Sequence, residues 1–324
     1  MVSLSRIACA AVFTATATAA PTAFWAQLYP AQPIRMIVPF TAGSSNDVVA
    51  RLLAQQMSAR LGQNVITDNR PGAGTNAGTK AAASAEPNGY TLLFNSSSMV
   101  VSPAMYRNPG YDPLKSFVPV ANTIFGHWVT IIEKSIPANT VPEFIAYAKA
   151  NPGKLAFGFG QGTAPQLVGE WLKVREGIDL ISVPYKGGPQ AVIDMIGGRI
   201  HLNIGTIATL ASHIKTGSVK AISVWGPARL PELPDVPTMI ESGYPGLALG
   251  FWAGVWAPAG TPSSIVALLN KTINASLGSS EMKTSLAKLG LEPVIQTPEE
   301  FGKFIVSEVP RWAEIVKVSG VKGD

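Results

Sequence analysis

The clearest pattern in the chain is an apolar run, then a short polar loop, then apolar residues at helical spacing. Residues 34–38 are almost continuously apolar and are followed by Pro39, which predicts a short buried strand. Residues 43–46 read Gly-Ser-Ser-Asn, and apolar positions at helical spacing continue over 48–61 until Gly62. A small-residue loop that leads into a helix directs free backbone N–H groups at one point. The stretch therefore predicts an anion site without a basic side chain.

The start of this helix is well supplied with capping residues. Ser44, Ser45 and Asn46 are each suitable N-caps. Asp47 then falls in the first turn, where the helix dipole favours a carboxylate. An ordinary strand-to-helix turn has the same residues, so the rest of the chain has to decide between the two interpretations.

The same arrangement recurs further along the chain. Residues 155–157 predict a strand, residues 158–166 form a glycine-rich loop, and a helix is expected over 167–174. Another predicted strand, 90–94, ends in the polar small-residue loop 95–98. Ligands collect at the carboxyl ends of strands in open α/β sheets. The loops at 43–46 and 158–166, one in each presumptive domain, could hold one anion from both sides.

Strands and helices alternate along most of the chain, which predicts sheets covered by helices on both faces. Two long apolar passages, 117–133 and 249–257, are expected to be crossovers between two lobes, with the last helices packing back on the first lobe. Trp128, Trp252 and Trp256 lie in these passages and could line the ligand pocket. We expect them to pack in the core.

Composition changes this picture mainly at the N-terminus. Arg6 precedes the apolar, small-residue segment 7–20, and residues 17–19 read Ala-Thr-Ala, as at a signal-peptidase site. We therefore expect residues 1–26 to be a cleaved signal peptide and the protein to be exported. Cys9 is the single cysteine, so the exported chain is expected to lack disulfides, cysteine metal ligands and a thiol nucleophile. No later apolar segment reaches membrane-spanning length.

The distribution of charge and the absence of catalytic motifs argue against several classes of function. The net charge of +5 is spread along the chain without a basic cluster interleaved with aromatics, so nucleic acid is not an expected partner. The three histidines, His127, His201 and His213, form no metal-binding motif, and no Gly-x-Ser-x-Gly elbow occurs. We expect no metal and no catalytic residues. An exported hydrolase stays open only as an alternative.

A nucleotide-binding loop is the other class to consider. Residues 158–162 are rich in glycine, but Thr163 stands where the third glycine of G-x-G-x-x-G belongs. Asp179 is the one acidic residue near the position that would hold a ribose, and its context is poor. No cofactor is expected.

Nine motifs in order make the pattern more specific. They are Pro-Ile-Arg at 33–35 with Ile-Val-Pro-Phe at 37–40, Ala-Gly at 42–43 and Asp47, Asn-Arg-Pro-Gly-Ala-Gly at 69–74, Gly-Tyr-Thr-Leu-Leu at 89–93, Tyr-Asp-Pro at 111–113, Ala-Asn-Pro-Gly-Lys-Leu at 150–155, Val-Pro-Tyr-Lys-Gly at 183–187, Leu-Pro-Asp-Val-Pro-Thr at 233–238, Ala-Pro-Ala-Gly-Thr-Pro at 257–262 and Thr-Pro-Glu-Glu-Phe at 297–301. In this order they resemble the Bug family, the extracytoplasmic solute receptors of tripartite tricarboxylate transporters. The resemblance covers the chain from about Tyr29 to its end.

The resemblance implies an α/β, two-lobed periplasmic binding protein-like fold of type II, in which each lobe is a mixed sheet flanked by helices. Lobe 1 would comprise 30–127 plus 253–324 and lobe 2 would comprise 128–252, with two crossover strands and a ligand cleft between the lobes. The implied protein is not an enzyme. It is a monomeric periplasmic receptor that closes like a Venus flytrap around a small carboxylate-type ligand and delivers it to the transporter's membrane subunits. A ligand-sensing receptor for a signalling system would have the same fold and pocket, so that alternative stays open.

In the family, backbone amides and bridging waters at loops of both lobes hold one ligand carboxylate. Carried onto this sequence residue by residue, the ligand-binding set is Phe40, Thr41, Ala42, Gly43, Ser44, Ser45, Asp47, Asn95, Ser96, Ser97, Ser98, Gly160, Gln161, Gly162, Thr163, Tyr185, Lys186 and Thr206. Ser44 stands where the family often has a second glycine. Residues 161–163, Gln-Gly-Thr, likewise depart from the more usual Gly-Ser pattern.

Overall fold

The computed structural model describes residues 29–161, 163–185, 188–247 and 249–323, apart from the side chains of residues 188, 189 and 208. The predicted signal peptide with Cys9 lies outside the described residues, as do Gly162 and Lys186. The described strands are β1 (Ile34–Val38), β2 (Val65–Asn69), β3 (Thr91–Ser96), β4 (Phe117–Gly126), β5 (Trp128–Glu133), β6 (Leu155–Gly160), β7 (Leu180–Tyr185), β8 (Leu202–Thr206), β9 (Val219–Trp225), β10 (Phe251–Pro258) and β11 (Leu291–Pro293). The described helices are α1 (Ser45–Leu61), α2 (Asn76–Ala83), α3 (Ser98–Met105), α4 (Val141–Ala150), α5 (Ala164–Glu176), α6 (Gly188–Ile196), α7 (Ile207–Lys215), α8 (Ser263–Leu277), α9 (Ser280–Ala287) and α10 (Pro298–Ser319).

The strands form two mixed sheets, as the sequence predicts. The first sheet has the order β11-β4-β10-β3-β1-β2, and the second has the order β7-β6-β8-β5-β9. In the first sheet β1 is parallel to β2 and β3, while β10 is antiparallel to β3 and β4. In the second, β6 is parallel to β7 and β8, while β5 is antiparallel to β8 and β9. Each lobe therefore has a parallel part whose carboxyl ends lie at one edge.

Helices cover both faces of the first sheet, so β1 is apolar except for the exposed Arg35 near its start. Met36 and Val38 belong to an apolar cluster with residues of α1 and α8. Ile37, between them, belongs to a second cluster with residues of α3 and α10. All three side chains are fully buried. Central parallel strands are buried on both sides in this way, so their sequences are nearly continuous in apolar residues.

The chain changes sheet twice, and only one of the two crossings lies where the sequence predicts it. β4 in the first sheet continues through His127 directly into β5 in the second sheet. The return is different, because all of β10 pairs within the first sheet. The chain returns within residues 226–250, before the apolar passage that we assigned to this crossing. The passage is apolar because β10 is a central strand, with β3 and β4 on either side of it.

The last helix packs on the first lobe, as expected, and it also contacts the second lobe. α10 packs against α3 and β4 of the first lobe and against α5 of the second. Trp312 of α10 contacts Trp128 of β5 edge-to-face, with the ring centroids 6.4 Å apart. The side chains of Trp128, Trp252 and Trp256 are at most 2% exposed, which confirms that they are core residues. No helix in the described part of the chain is long and apolar enough to cross a membrane.

Candidate functional site

The loops that follow the parallel strands are the natural place for a ligand in this fold. In the first lobe these loops follow β1, β2 and β3 and lead into α1, α2 and α3. In the second lobe the loops after β6, β7 and β8 lead into α5, α6 and α7. All described residues of the predicted set lie at these strand ends, and the set contains residues from both lobes.

The loop after β1 is organised by a buried carboxylate. Asp47 is 2% exposed, and its Oδ2 accepts hydrogen bonds from the Gly43 backbone N–H at 2.8 Å and from Arg51 Nε at 2.9 Å. Its Oδ1 accepts a hydrogen bond from Asn69 Nδ2 at 2.8 Å. Asn69 is the last residue of β2, so the loop is tied to the neighbouring strand as well as to its own helix.

These contacts determine the charge of Asp47. Burial by itself would raise the pKa of this carboxyl, because the charged form loses water. The hydrogen bonds from Arg51, Gly43 and Asn69, with the charge of Arg51, outweigh burial and hold the pKa below its ordinary value. Asp47 is therefore a buried anion whose hydrogen-bonding capacity is used within the protein.

The backbone donors of this loop divide into two groups. The N–H of Gly43 donates to Asp47, and the N–H of Ser44 donates to the Thr41 carbonyl at 3.2 Å. These two amides are therefore engaged within the loop itself. The N–H groups of Thr41, Ala42, Ser45 and Asn46 have no acceptor among the described residues. They are donors that α1 and its loop leave for a ligand.

Local sequence explains why the loop has this shape. Ser44 is the N-cap of α1, and its Oγ accepts a hydrogen bond from the Asp47 N–H at 3.3 Å. Gly43 has a φ of +81°, a backbone conformation that disfavours other residues. Among the three candidate caps, the structure selects Ser44, because Ser45 and Asn46 are already in the first turn.

The loop after β3 is buried and largely committed to internal hydrogen bonds. Asn95 is fully buried, its Nδ2 donates to Thr79 Oγ1 at 3.0 Å, and its Oδ1 accepts from the Ser96 N–H at 2.8 Å. Ser96 and Ser97 are 4% and 3% exposed. Asn95 therefore connects the start of this loop to Thr79 of α2 by hydrogen bonds within the protein.

The loop after β6 is closed by short-range hydrogen bonds. Thr163, the N-cap of α5, donates to the Gly160 carbonyl through its N–H at 3.3 Å and through its Oγ1 at 2.7 Å. The N–H of Gln161 donates to the Tyr185 carbonyl at 3.0 Å, which ties this loop to the end of β7. The described part of this loop thus has the same architecture as the loop after β1, a compact turn at a helix N-terminus.

The side chain of Tyr185 has a partner on its own lobe. Its hydroxyl donates to Asp194 Oδ2 of α6 at 2.7 Å. Burial and this bond to the carboxylate raise the pKa of Tyr185 to about 12. The same bond, together with Arg199 at 2.9 Å, lowers the pKa of Asp194. The hydroxyl is therefore engaged with α6.

Thr206 connects the site to the first crossover. It is the N-cap of α7, and its Oγ1 lies 3.3 Å from Thr209 Oγ1. The N–H of Ile207, the next residue, donates to the carbonyl of His127 at 3.1 Å. His127 is the residue between β4 and β5, so this helix start is bonded to the segment that joins the lobes.

The loop after β2 lies at the same strand ends and is absent from the predicted set. Gly72, Ala73, Gly74 and Thr75 all have positive φ, at 133°, 47°, 60° and 78°. A positive φ at a β-branched residue such as Thr75 is strained, and such strain concentrates at functional sites. The Pro-Gly-Ala-Gly motif at 71–74 indicated a turn, but no local signal marks Thr75. The packing of this loop against α3 holds it, since Ser102 Oγ donates to the Gly74 carbonyl at 2.6 Å.

The arrangement of the site can bind an anion through backbone groups. No group of three or more His, Cys, Asp or Glu side chains suitable for a metal ion occurs in the described ranges. Arg51 is the cation beside the loop after β1, and its guanidinium binds Asp47 and Asn69. What the strand-end loops offer is unpaired N–H groups at the positive ends of helix dipoles.

Comparisons with known proteins show a family match and similar sequences. Residues 49–321 match the model of the family described as "Tripartite tricarboxylate transporter family receptor". Protein BugT of Bordetella pertussis is 38% identical over 315 residues, which cover 96% of this chain and 96% of BugT.

Solved structures show the same fold over most of the chain. The periplasmic binding protein BugD is 38% identical with a TM-score of 0.76, covering 91% of this chain and 99% of that one. The R. palustris protein Rpa4515, solved with adipate, is 32% identical with a TM-score of 0.77, covering 91% of this chain and 99% of the other.

Proposed function

We propose a function from one premise: the chain belongs to the family of tripartite tricarboxylate transporter receptors. It is therefore a periplasmic solute-binding receptor and not an enzyme. On this basis it captures a small carboxylate-type ligand between its lobes and delivers it to the membrane subunits of a tripartite tricarboxylate-type transporter. Residues 1–26 would serve as the signal peptide for export. The structure of Rpa4515 with adipate supports this ligand class.

One observation carries the proposed binding mode. Thr41, Ala42, Ser45 and Asn46 have N–H groups without acceptors among the described residues, and Asp47 holds their loop in place. A carboxylate here would accept hydrogen bonds from these donors and gain from the α1 dipole, equivalent to about half a positive charge. In this mode Asp47 is a positioning residue that acts through the loop. The loop after β6, at the start of α5, supplies the opposite wall.

The two lobes would close on the ligand about the crossovers. We propose lobe 1 as 30–127 plus 253–324 and lobe 2 as 128–252. Sheet membership supports this division to within two residues, because the chain leaves the first sheet at Gly126 and is paired there again from Phe251. Closure would exclude water from the loops and strengthen each N–H to carboxylate bond.

Native mass spectrometry of the purified mature protein, followed by a thermal-shift screen of mono-, di-, tri- and aromatic carboxylates, tests the ligand class. We expect a mass increment of one small acid, and a matching acid that raises the melting temperature. No adduct and no shift with any carboxylate would contradict the proposed ligand class.

The binding mode needs a sharper experiment, and Ser45 provides one. It is the first residue of α1, where proline fits the helix. The preceding Ser44 has a φ of −68° and a ψ of 159°, a conformation that proline tolerates in its predecessor. Ser45→Pro therefore removes one free N–H with little strain, while Ser45→Ala keeps that N–H and serves as the matched control.

We expect Ser45→Pro to weaken binding of the acid identified in the screen by about tenfold or more, the effect of losing one charge-assisted hydrogen bond. Ser45→Ala should bind like the native protein, and both variants should melt near the native temperature. Isothermal titration calorimetry measures the affinities. Equal affinities for the proline and alanine variants would refute binding by this amide.

A further inference from the structure

A cavity of about 370 Å³ lies where α10 packs against α5, away from the loops at the strand ends. We name it the seam cavity. It is lined by Trp171 and Arg175 of α5, by residues 244–247 of the segment that returns to the first lobe, and by Arg311, Glu314 and Ile315 of α10. Its volume is within the range of small-molecule sites, about 300–1,000 Å³.

The inner wall of the seam cavity is apolar and aromatic. Trp171, Tyr244, Leu247 and Ile315 are each less than 9% exposed, so their positions are set by packing. The Trp171 and Tyr244 rings meet edge-to-face with their centroids 6.2 Å apart. Such a wall suits a flat or branched apolar group, because aromatic faces and edges both offer contact area.

Two guanidinium groups lie at the edge of this wall. The Arg175 guanidinium carbon lies 5.0 Å from the Trp171 ring centroid and 5.9 Å from that of Tyr244. Its nearest carboxylate partner in the structure is Glu176, at 4.0 Å, a distance that makes a weak ion pair. Arg175 is therefore oriented by stacking on the rings.

Arg311 is oriented from the opposite wall. It donates to Glu308 Oε1 at 3.0 Å, and its Nε and Nη2 donate to the Gly246 carbonyl at 3.2 and 3.0 Å. Glu314 is the one acidic lining residue among those that the structure describes, and it lies 4.0 Å from Lys317. The lining of the seam cavity is therefore net positive next to an aromatic wall.

We propose that the seam cavity is a second binding site, for a small aromatic or branched apolar molecule that carries one carboxylate. The apolar part would pack on Trp171, Tyr244 and Ile315. The carboxylate would lie at the Arg175 guanidinium, which binds carboxylates in a planar, two-point geometry. This proposal does not depend on the cleft, since none of its residues belongs to the strand-end loops.

Phenylacetate is a suitable probe, with phenylacetamide and acetate as controls that lack the charge and the ring. Isothermal titration calorimetry should show phenylacetate binding to the native protein and much weaker binding of both controls. Arg175→Met keeps an unbranched apolar side chain on Trp171 but removes the charge, and should weaken phenylacetate binding by about tenfold. Glu314→Gln removes the lining carboxylate and should strengthen binding severalfold. Arg60→Met, at an exposed position near the end of α1, is the matched control and should bind like the native protein.

The design separates this site from the cleft, where a carboxylate probe could also bind. Ser45→Pro should leave the Arg175-dependent part of phenylacetate binding unchanged. If Arg175→Met bound phenylacetate with native affinity, the probe would be elsewhere and the proposal would be overturned. Equal binding of phenylacetate and phenylacetamide, or no saturable binding at all, would overturn it as well. A crystal structure with phenylacetate on Trp171 and Arg175 would establish the site directly.

Discussion

Replacing Asp47 by asparagine tests whether a single buried carboxylate organises the ligand-binding loop. The change keeps the size and shape of the side chain but removes the charge and one acceptor oxygen. Asp47 accepts hydrogen bonds from Gly43, Arg51 and Asn69 at 2.8–2.9 Å. In the variant at least one of these donors faces an N–H₂ group, and the ion pair with Arg51 is lost.

The structure sets the expected size of the effect. Losing a hydrogen bond to a charged group costs about 1.5–3 kcal/mol, but the Arg51 side chain is 52% exposed and can recover part of this cost by binding water. We therefore expect Asp47→Asn to lower the free energy of unfolding by about 2 kcal/mol and the melting temperature by a few degrees. Because the loop is loosened, the affinity for the cleft ligand should fall by about tenfold.

The pH dependence gives a further check with a definite sign. The folded-state pKa of Asp47 lies below its ordinary value of 3.8. The stabilisation by this carboxylate is therefore present above the ordinary pKa and is lost as the pH falls through the folded-state pKa. Urea unfolding should show a native advantage over Asp47→Asn at neutral pH that disappears in strong acid.

Asp68→Asn is the matched control for this prediction. Asp68 is the neighbouring acid on β2, and it pairs with Arg70 at 2.8 Å in a partly exposed position, with side chains 30% and 42% exposed. It should change stability by less than about 1 kcal/mol and leave binding unchanged. Native stability and affinity of Asp47→Asn, or an equal effect of Asp68→Asn, would refute this role of the Asp47 carboxylate.

Three further changes test the packing and the crossovers. Glu308→Ala removes a 2%-exposed carboxylate that accepts hydrogen bonds from the indole N–H groups of Trp252 and Trp312 at 3.0 and 2.9 Å. It should lower the free energy of unfolding in urea by about 3 kcal/mol. An unfolding midpoint equal to that of the native protein would contradict this. Gly169→Ala places a Cβ 2.1 Å from the Phe157 ring and should lower the melting temperature. Gly302→Ala is the control, because its added Cβ has its nearest contact at 3.4 Å, and it should leave the melting temperature unchanged. The pKa of His127 is lowered, chiefly by burial, so its contribution to stability is present above the ordinary value of 6.5 and is lost as the pH falls. In urea unfolding on both sides of this pH, the free energy of unfolding should therefore decrease less in acid for His127→Gln than for the native protein. An equal decrease would show that another group titrates.

Local signals predicted much of the fold because capping residues, prolines and glycines next to each strand or helix set where it begins and ends. The strand predicted at 34–38 is β1, and the helix predicted to start after a cap among residues 44–46 is α1, which begins at Ser45. Its cap is Ser44, through a contact over three residues. The alternation of strands with helices predicted sheets covered on both faces, and the family resemblance implied a mixed sheet in each lobe.

The candidate site was predictable in position but less so in chemistry. The sequence indicates that residues 40–47 form a loop at a helix start, and the structure has that loop. It does not indicate that the Gly43 N–H is used by Asp47, because Asn69 of another strand also holds that carboxylate. The strain at Thr75 is equally invisible, since it depends on how the loop packs against α3.

The sequence by itself determined the order of strands and helices, the small-residue loops at strand ends and the family to which the chain belongs. These properties depend on residues close together in the chain or on motifs in a fixed order. Only the tertiary structure decided which loop amides stay free, where the chain returns to the first sheet, and that α10 joins both lobes. The reason is physical: each of these depends on contacts between distant segments, such as Trp252 with Glu308, for which burial and hydrogen bonding outweigh local preference.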